Sequence, residues 1–566
     1  MSLLSFPKLQ LILDYKHFYG VEPPADRFSI IKDISKKNLL FELCALNYRL
    51  KPKNALHNDT SLDTQIRELK YFCHNEEVYL KHAKVAEENT IDKNNYPIIF
   101  NRQACLFAIE EILNSSKIEL NDNSHGMERK DWESILKYYL AVNYQVTQIK
   151  NEEDELDVSF ETLSPKLLPL NELFIDTDPF FIPYRGYMLI EYFLNKSEVS
   201  DELKNYFREA YDSEPDELIF HILGMYLSKK KEISHYDFFY RLEEGKEFLF
   251  ERLSKRIVCT ETYKLINLRK FPFIKVGRLE YLIADNIFLI EKLYSQLIND
   301  FWFDRIKNIK ANTNKRNFSV KYYRGEIGAF FESYISMLLK GSFENYKYSK
   351  LFLFNELKVA TGKGEIEIAD VYLRYNKKIL VAQVKSGSIY DKEKYGGDVK
   401  AFYKNDRDEF FKNLGVNQIV QSIENLNTYI NKIDKKFPKG HSLQIFPCLI
   451  VNDKALQTPF IANTFNDRFQ EIAANIDIKK VIINPLTIIH VSDLEKLEEF
   501  LRELPDEIWN FLKYNFRNNK FIPPFYDTIN KKYNPRKYPR RIFDLYSNLI
   551  KKYNPKEWKE ESNFPA

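Results

Sequence analysis

Apolar residues recur every three to four positions through much of the first 310 residues, the spacing that lines one face of a helix. Residues 38–46, 104–113 and 217–227 are the clearest such stretches, and Asp, Asn or Ser near several starts can cap the free amides. The pattern predicts a mostly α-helical amino-terminal region, divided where Ser164-Pro165 and the segment from Pro179 to Pro183 interrupt it. Phe271-Pro272-Phe273-Ile274 reads as a further break, with a helix over 281–301 beyond it.

From residue 320 the pattern changes. Residues 324–341 keep helical spacing, with Gly341 as the expected stop. Two short runs rich in β-branched and aromatic residues, 364–373 and 379–385, flank the polar stretch Arg374-Tyr375-Asn376-Lys377-Lys378 and predict a β-hairpin. A helix over 416–430, a buried strand over 443–451, a strand over 481–491 and a helix over 492–501 follow. The expected division is a helical domain at 1–165, a second helical region at 166–312, an α/β domain at 313–504 and a carboxy-terminal extension at 505–566.

The hairpin carries polar residues in unusual places. Period two sets Asp370 on the side of Ile366 and Ile368, sets Gln383 and Lys385 on the side of Val381, and sends Glu365 and Glu367 to the opposite face from Asp370. A carboxylate, an amide and an ammonium can thus meet at the ends of two adjacent strands. Burying them is costly unless they bind one another, a metal or a ligand. On the helix before them, Ile327, Phe331, Ile335 and Leu338 form one face, and Glu332 falls at its edge beside Gly328 and Leu339.

Asp370, Gln383-Val384-Lys385 and the upstream Gly328-Ala329-Phe330-Phe331-Glu332 together resemble the PD-(D/E)xK nuclease superfamily, in particular its Mrr-like, type IV restriction branch, where Gln can replace the second acid. The likeness spans roughly residues 320–500. It implies a restriction-endonuclease-like α/β core, a mixed sheet flanked by helices, behind the large helical region. It also implies Mg²⁺ (or Mn²⁺) held by Asp370, by Glu332 directly or through water, and by the amide oxygen of Gln383. Lys385 would orient the attacking water or stabilise developing charge. Gln383 leaves one negative charge fewer than Glu would, and Gln421 is a further polar candidate. The implied activity is hydrolysis of phosphodiester bonds in DNA, with RNA as an alternative substrate, and a role in defence against foreign DNA. The rival reading is a nuclease fold that binds nucleic acid without cutting it. The helical region would sense a trigger, bind a protein partner or form a homo-oligomer.

Composition narrows the picture. A chain of 566 residues exceeds one ordinary domain, and 44% hydrophobic with 29% charged residues describes an ordered protein. No apolar run approaches the roughly 20 residues that span a bilayer, and the first residues lack a secretory pattern, so a cytoplasmic protein without membrane contact is expected. Cys44, Cys73, Cys105, Cys259 and Cys448 are scattered without a Cys-x-x-Cys pair, which predicts reduced, buried thiols and no zinc at Cys73-His74-His82. Phosphate-loop, His-Glu-x-x-His and Gly-x-Ser-x-Gly patterns are absent. The acidic run 152–157 reads as a solvated loop, and 386–408 as a loop over the cleft.

Net charge is only +3, but residues 513–559 hold thirteen Lys or Arg against three Asp or Glu, interleaved with aromatic rings. That mixture can neutralise phosphates and stack on bases. Lys531, Lys532, Arg536, Lys537, Arg540, Arg541, Lys551 and Lys552 are its candidate nucleic-acid contacts, and Lys-Lys-Tyr-Asn-Pro occurs there twice.

Overall fold

The computed structural model describes the chain apart from residues 1–10, 52–58, 91–95, 117–125, 148–158, 173–177, 228–236, 255–264, 310–318, 363, 390–406, 439–442, 475, 477–480, 518–520, 533–537 and 555–566. It is an α/β protein, mostly helical, with a mixed sheet. Among the described residues no helix is long and apolar enough to cross a membrane. The chain divides into two compact units, one from Lys8–Asp154 and Asp176–Asn308, the other from Glu155–Ile175 and Ile309–Ala566. The four-part division expected from the sequence therefore becomes two. Ser164-Pro165, expected at a boundary, lies inside the helix Phe160–Glu172, and Ser164 Oγ sits 2.8 Å from Thr464 Oγ1 within the carboxy-terminal unit.

In the amino-terminal unit the three expected helical stretches fall inside the helices Lys36–Leu50, Arg102–Asn114 and Pro215–Leu227. A three-stranded antiparallel sheet, Phe239–Arg241 with Glu280–Ile283 and Phe273–Gly277, was not expected. The helix expected over 281–301 is instead a strand followed by the helices Asn286–Glu291 and Ser295–Asp304. Asp285 causes the change: its carboxylate caps Ile287 N–H at 2.8 Å and is gripped by Arg102 at 2.6 and 2.7 Å. His82 is a satisfied core histidine, with Nδ1 2.7 Å from Val78 O and Nε2 3.3 Å from Tyr19 Oη. Cys44, Cys73, Cys105 and Cys448 are buried thiols outside any disulfide, and Cys259 and the acidic run 152–157 lie outside the described residues.

The carboxy-terminal unit is built on a six-stranded mixed sheet. Its middle strands, Lys378–Lys385 and Leu443–Val451, run parallel. Val371–Tyr375 and then Lys350–Leu353 extend the sheet antiparallel on one side. On the other side Val481–Ile483 and Thr487–His490 pair in turn along Leu443–Val451, parallel to it. The single strand expected over 481–491 is split because Asn484-Pro485-Leu486 falls opposite Phe446-Pro447, where prolines cannot donate to a ladder. The helices Val416–Tyr429 and Ile461–Ala473 cover one face, burying Ile419, Ile423, Phe465 and Phe469 against Ile379, Val381 and Ile445.

The long helix Val320–Phe343 packs on Val491–Glu503. Gly341, expected to end it, lies within it, and its missing Cβ leaves room for the buried Glu498 carboxylate of the neighbouring helix. Described residues after Pro505 pack into the unit. Trp509 is fully buried and donates to Tyr346 Oη at 2.9 Å, and the two terminal guanidinium nitrogens of Arg541 donate to Glu498, itself 1% exposed. The two Lys-Lys pairs of the repeat end the helices Phe525–Lys532 and Arg540–Tyr553, where cations offset the exposed carbonyls.

Two outcomes are expected. Deleting the residues after Pro505 removes Trp509 and Phe511 and uncovers the rings they pack on, Phe446 and Phe500, so the truncated protein should lose its near-ultraviolet circular dichroism rather than fold with weaker nucleic-acid affinity. The pair Arg374 Nε–Asp434 Oδ2 at 2.5 Å, with Tyr372 donating to the same oxygen at 3.0 Å, is buried at the hairpin. Asp434→Ala strands that guanidinium and should cost about 3–5 kcal/mol in urea unfolding.

Candidate active site

The central hairpin positions the site. Val371 pairs with Ala382 and Tyr375 with Lys378, leaving Asn376-Lys377 as the turn, with Asn376 in the left-handed region at φ 53°. Arg374, Tyr375 and Lys378, expected in the turn, are strand residues. At the other end the ladder runs out at Asp370, whose N–H donates to Ala382 O at 3.2 Å and whose Oδ2 accepts from Val384 N–H at 2.7 Å. The register sets Asp370 opposite Gln383, and residues opposite in an antiparallel pair share a face. Lys385, two residues on, shares it as well.

The strand expected over 364–373 is in fact two. Gly364–Glu367 belongs to a separate two-stranded ribbon with Lys358–Thr361, and Val371–Tyr375 belongs to the main sheet. Ile368 and Ala369, both fully buried, carry the chain between them. Period two therefore does not run through 367–371. Glu367 is exposed, as expected of a solvated residue, yet near enough for its charge to bear on Asp370, Glu332 and Lys385 alike.

Gln383 is buried, and its amide has distinct partners at its two ends. Nε2 donates to Ser422 Oγ at 3.0 Å, and Oε1 accepts from Lys385 Nζ at 3.4 Å. Ser422 comes from the helix Val416–Tyr429. The candidate Gln421 instead bonds Asn425 at 3.2 Å on the exposed side, so that helix contributes a serine and not the glutamine. The helix starts after Gly415, which has φ 94°. A Cβ there would stand 2.7 Å from Lys385 Cε and 3.2 Å from Leu449 Cδ2, so only glycine suits both the backbone and the lysine stem.

Glu332 enters from the long helix. The face Ile327, Phe331, Ile335 and Leu338 is buried as expected, and Glu332 is exposed at its edge. Gly328, one turn earlier, has its Cβ direction 3.7 Å from Ser386 Oγ, so this part of the helix passes the end of the Lys385 strand.

These charges perturb one another. Burial raises the Asp370 carboxyl to about 6, against the Val384 hydrogen bond and Lys385, with Glu367 adding to the rise. Glu332 is held above the ordinary glutamate range, first by the surrounding protein and then by Asp370 and Glu367. Burial lowers the Lys385 ammonium, opposed by Asp370, Glu332 and Glu367. Among the described residues Asp370 Oδ1 has no hydrogen-bond donor, and no three His, Cys, Asp or Glu side chains lie close enough to hold an ion by themselves. A divalent cation is nonetheless compatible with an open carboxylate oxygen, an amide oxygen and an excess of unrelieved negative charge, because Mg²⁺ keeps several waters and needs only one or two carboxylates.

The basic candidates fare differently. Lys531, Lys532, Arg540, Lys551 and Lys552 are exposed, with Lys532 Nζ 5.4 Å from the Tyr514 ring centre and Arg540 3.9 Å from Asp544. Arg536 and Lys537 lie outside the described residues. Arg541 must be withdrawn as a nucleic-acid contact, because its guanidinium is engaged with Glu498. Of the 386–408 loop, residues 386–389 and 407–408 are described, and Ile389 N–H donates to Asp453 at 2.7 Å.

No family model matches the chain, and neither a curated protein nor a solved structure shows a significant match.

The Asp370 carboxyl keeps its proton to about pH 6 when folded and releases it near 3.8 when unfolded. The folded state thus binds more protons between these values, and stability falls as pH rises through that window. Above it, Asp370→Asn should stabilise the metal-free protein by about 1–3 kcal/mol. Unchanged urea unfolding at pH 7.5 would contradict the raised value.

Proposed function

We propose that the carboxy-terminal unit is a divalent-metal-dependent nuclease of the PD-(D/E)xK type that hydrolyses phosphodiester bonds in DNA. The observation that carries this reading is the meeting of Asp370, Gln383 and Lys385 on one face at the frayed end of a hairpin, within electrostatic reach of Glu332. A Mg²⁺ or Mn²⁺ ion held there would neutralise charge on the phosphate and make a water more acidic. Asp370 would hold it through Oδ1, with Gln383 Oε1 and Glu332 as further oxygen donors. Lys385, partly desolvated, stabilises the negative charge that grows on the phosphate oxygens. Glu332, whose carboxyl is held above its ordinary range, would accept the proton of the attacking water. The amino-terminal unit is then the place for a trigger or partner to act, and defence against foreign DNA is the corresponding role.

One observation favours the rival, a nuclease fold that binds nucleic acid without cutting it: no three acids or other ligating side chains cluster tightly among the described residues. Matched DNA and RNA duplexes incubated with the full chain and Mg²⁺ or Mn²⁺ separate the readings. Cleavage of DNA is expected, falling by about 100-fold or more in Asp370→Ala and Lys385→Ala. Cleavage of RNA alone would reassign the substrate. Binding without cleavage would establish the rival.

A further inference from the structure

Ser422 is a lone hydroxyl on the apolar face of its helix, between Ile419 and Ile423, and is 2% exposed. Its Oγ lies 2.8 Å from the carbonyl of Gln418, one turn back, and donates its only hydrogen there. Toward Gln383 it can therefore offer only a lone pair. The end of the Gln383 side chain 3.0 Å away must be the NH₂, which leaves Oε1 facing Lys385 Nζ. Turning the amide by 180° would set donor on donor at Lys385 and would require the Ser422 hydroxyl to give up the Gln418 carbonyl to meet the amide oxygen, in a buried setting where water relieves neither loss.

We propose that Ser422 is the positioning residue that fixes which end of the Gln383 amide looks into the cleft, making a directed, uncharged oxygen donor for a divalent cation. This rests on the metal-dependent reading above. An amide has one useful end where a carboxylate has two, so a site that uses Gln in place of an acid needs a device to select that end. The relay from Lys385 through Gln383 and Ser422 to the Gln418 carbonyl supplies it. With a glutamate at 383 the selection becomes redundant, and this distinguishes orientation from mere packing.

The test is Mn²⁺ binding to the full-length protein, read by electron paramagnetic resonance without nucleic acid. Ser422→Ala should weaken binding about tenfold, the value of one well-formed hydrogen bond, and Ser422→Thr, which keeps the hydroxyl, should restore it. In the Gln383→Glu background Ser422→Ala should change binding by less than about twofold. An equal loss in both backgrounds would reduce Ser422 to a packing residue, and no loss in the Gln383 background would dispose of the relay. Mn²⁺ binding that is absent, or unaffected by Asp370→Asn, would overturn the metal-dependent reading and this inference with it.

Discussion

The hydrogen bond from Val384 N–H to Asp370 Oδ2, at 2.7 Å, is the contact on which the site turns. It crosses the hairpin one step beyond the last regular pair, so it holds a carboxylate where a strand would otherwise fray. With one oxygen tied to the backbone, the side chain cannot rotate, and the other is left open. The bond stabilises the charged form, yet burial prevails and the carboxyl retains its proton to about 6. The protein thus maintains a negative group in a place where it is electrostatically unfavourable. Such a position is informative because it is destabilising in the absence of a partner.

The rest of the carboxy-terminal unit keeps that arrangement stiff. Lys378–Lys385 is flanked on both sides, antiparallel by Val371–Tyr375 and parallel by Leu443–Val451, so Gln383 and Lys385 cannot slip in register without turning their side chains to the other face. Arg374, Tyr372 and Asp434 lock the hairpin to the segment after the Val416–Tyr429 helix, which delivers Ser422.

Much of this was legible in the chain. The helices at 320–343 and 416–429 and the strand Leu443–Val451 follow from the periodicity of residues such as Ile327, Phe331, Ile419 and Ile423. Asp370, Gln383 and Lys385 were found because polar residues in apolar strands are conspicuous. What escaped shares a physical cause: it depends on a second segment. The influence of Glu367 on the site escaped because a change of sheet at Ile368-Ala369 leaves no mark on hydrophobic alternation. Ser422 was overlooked for Gln421 because an isolated serine on a helix is unremarkable until its partner is known. The basic residues near the carboxy terminus looked like a ligand surface, although Arg541 answers the buried Glu498 some forty positions earlier. The small sheet around Glu280–Ile283 was hidden because Tyr281 to Phe301 keeps an apolar character across a strand, a cap and two helices.

Gly415 has a consequence for the thermodynamics of recognition. A free lysine side chain samples many rotamers, and immobilising it costs up to about 2 kcal/mol. Here the methylenes of Lys385 lie along bare backbone at Gly415 and beside Leu449, so much of that disorder is already removed when the chain folds. An incoming phosphate would meet an ammonium whose freedom was given up in advance, and little entropy would remain to be lost on contact.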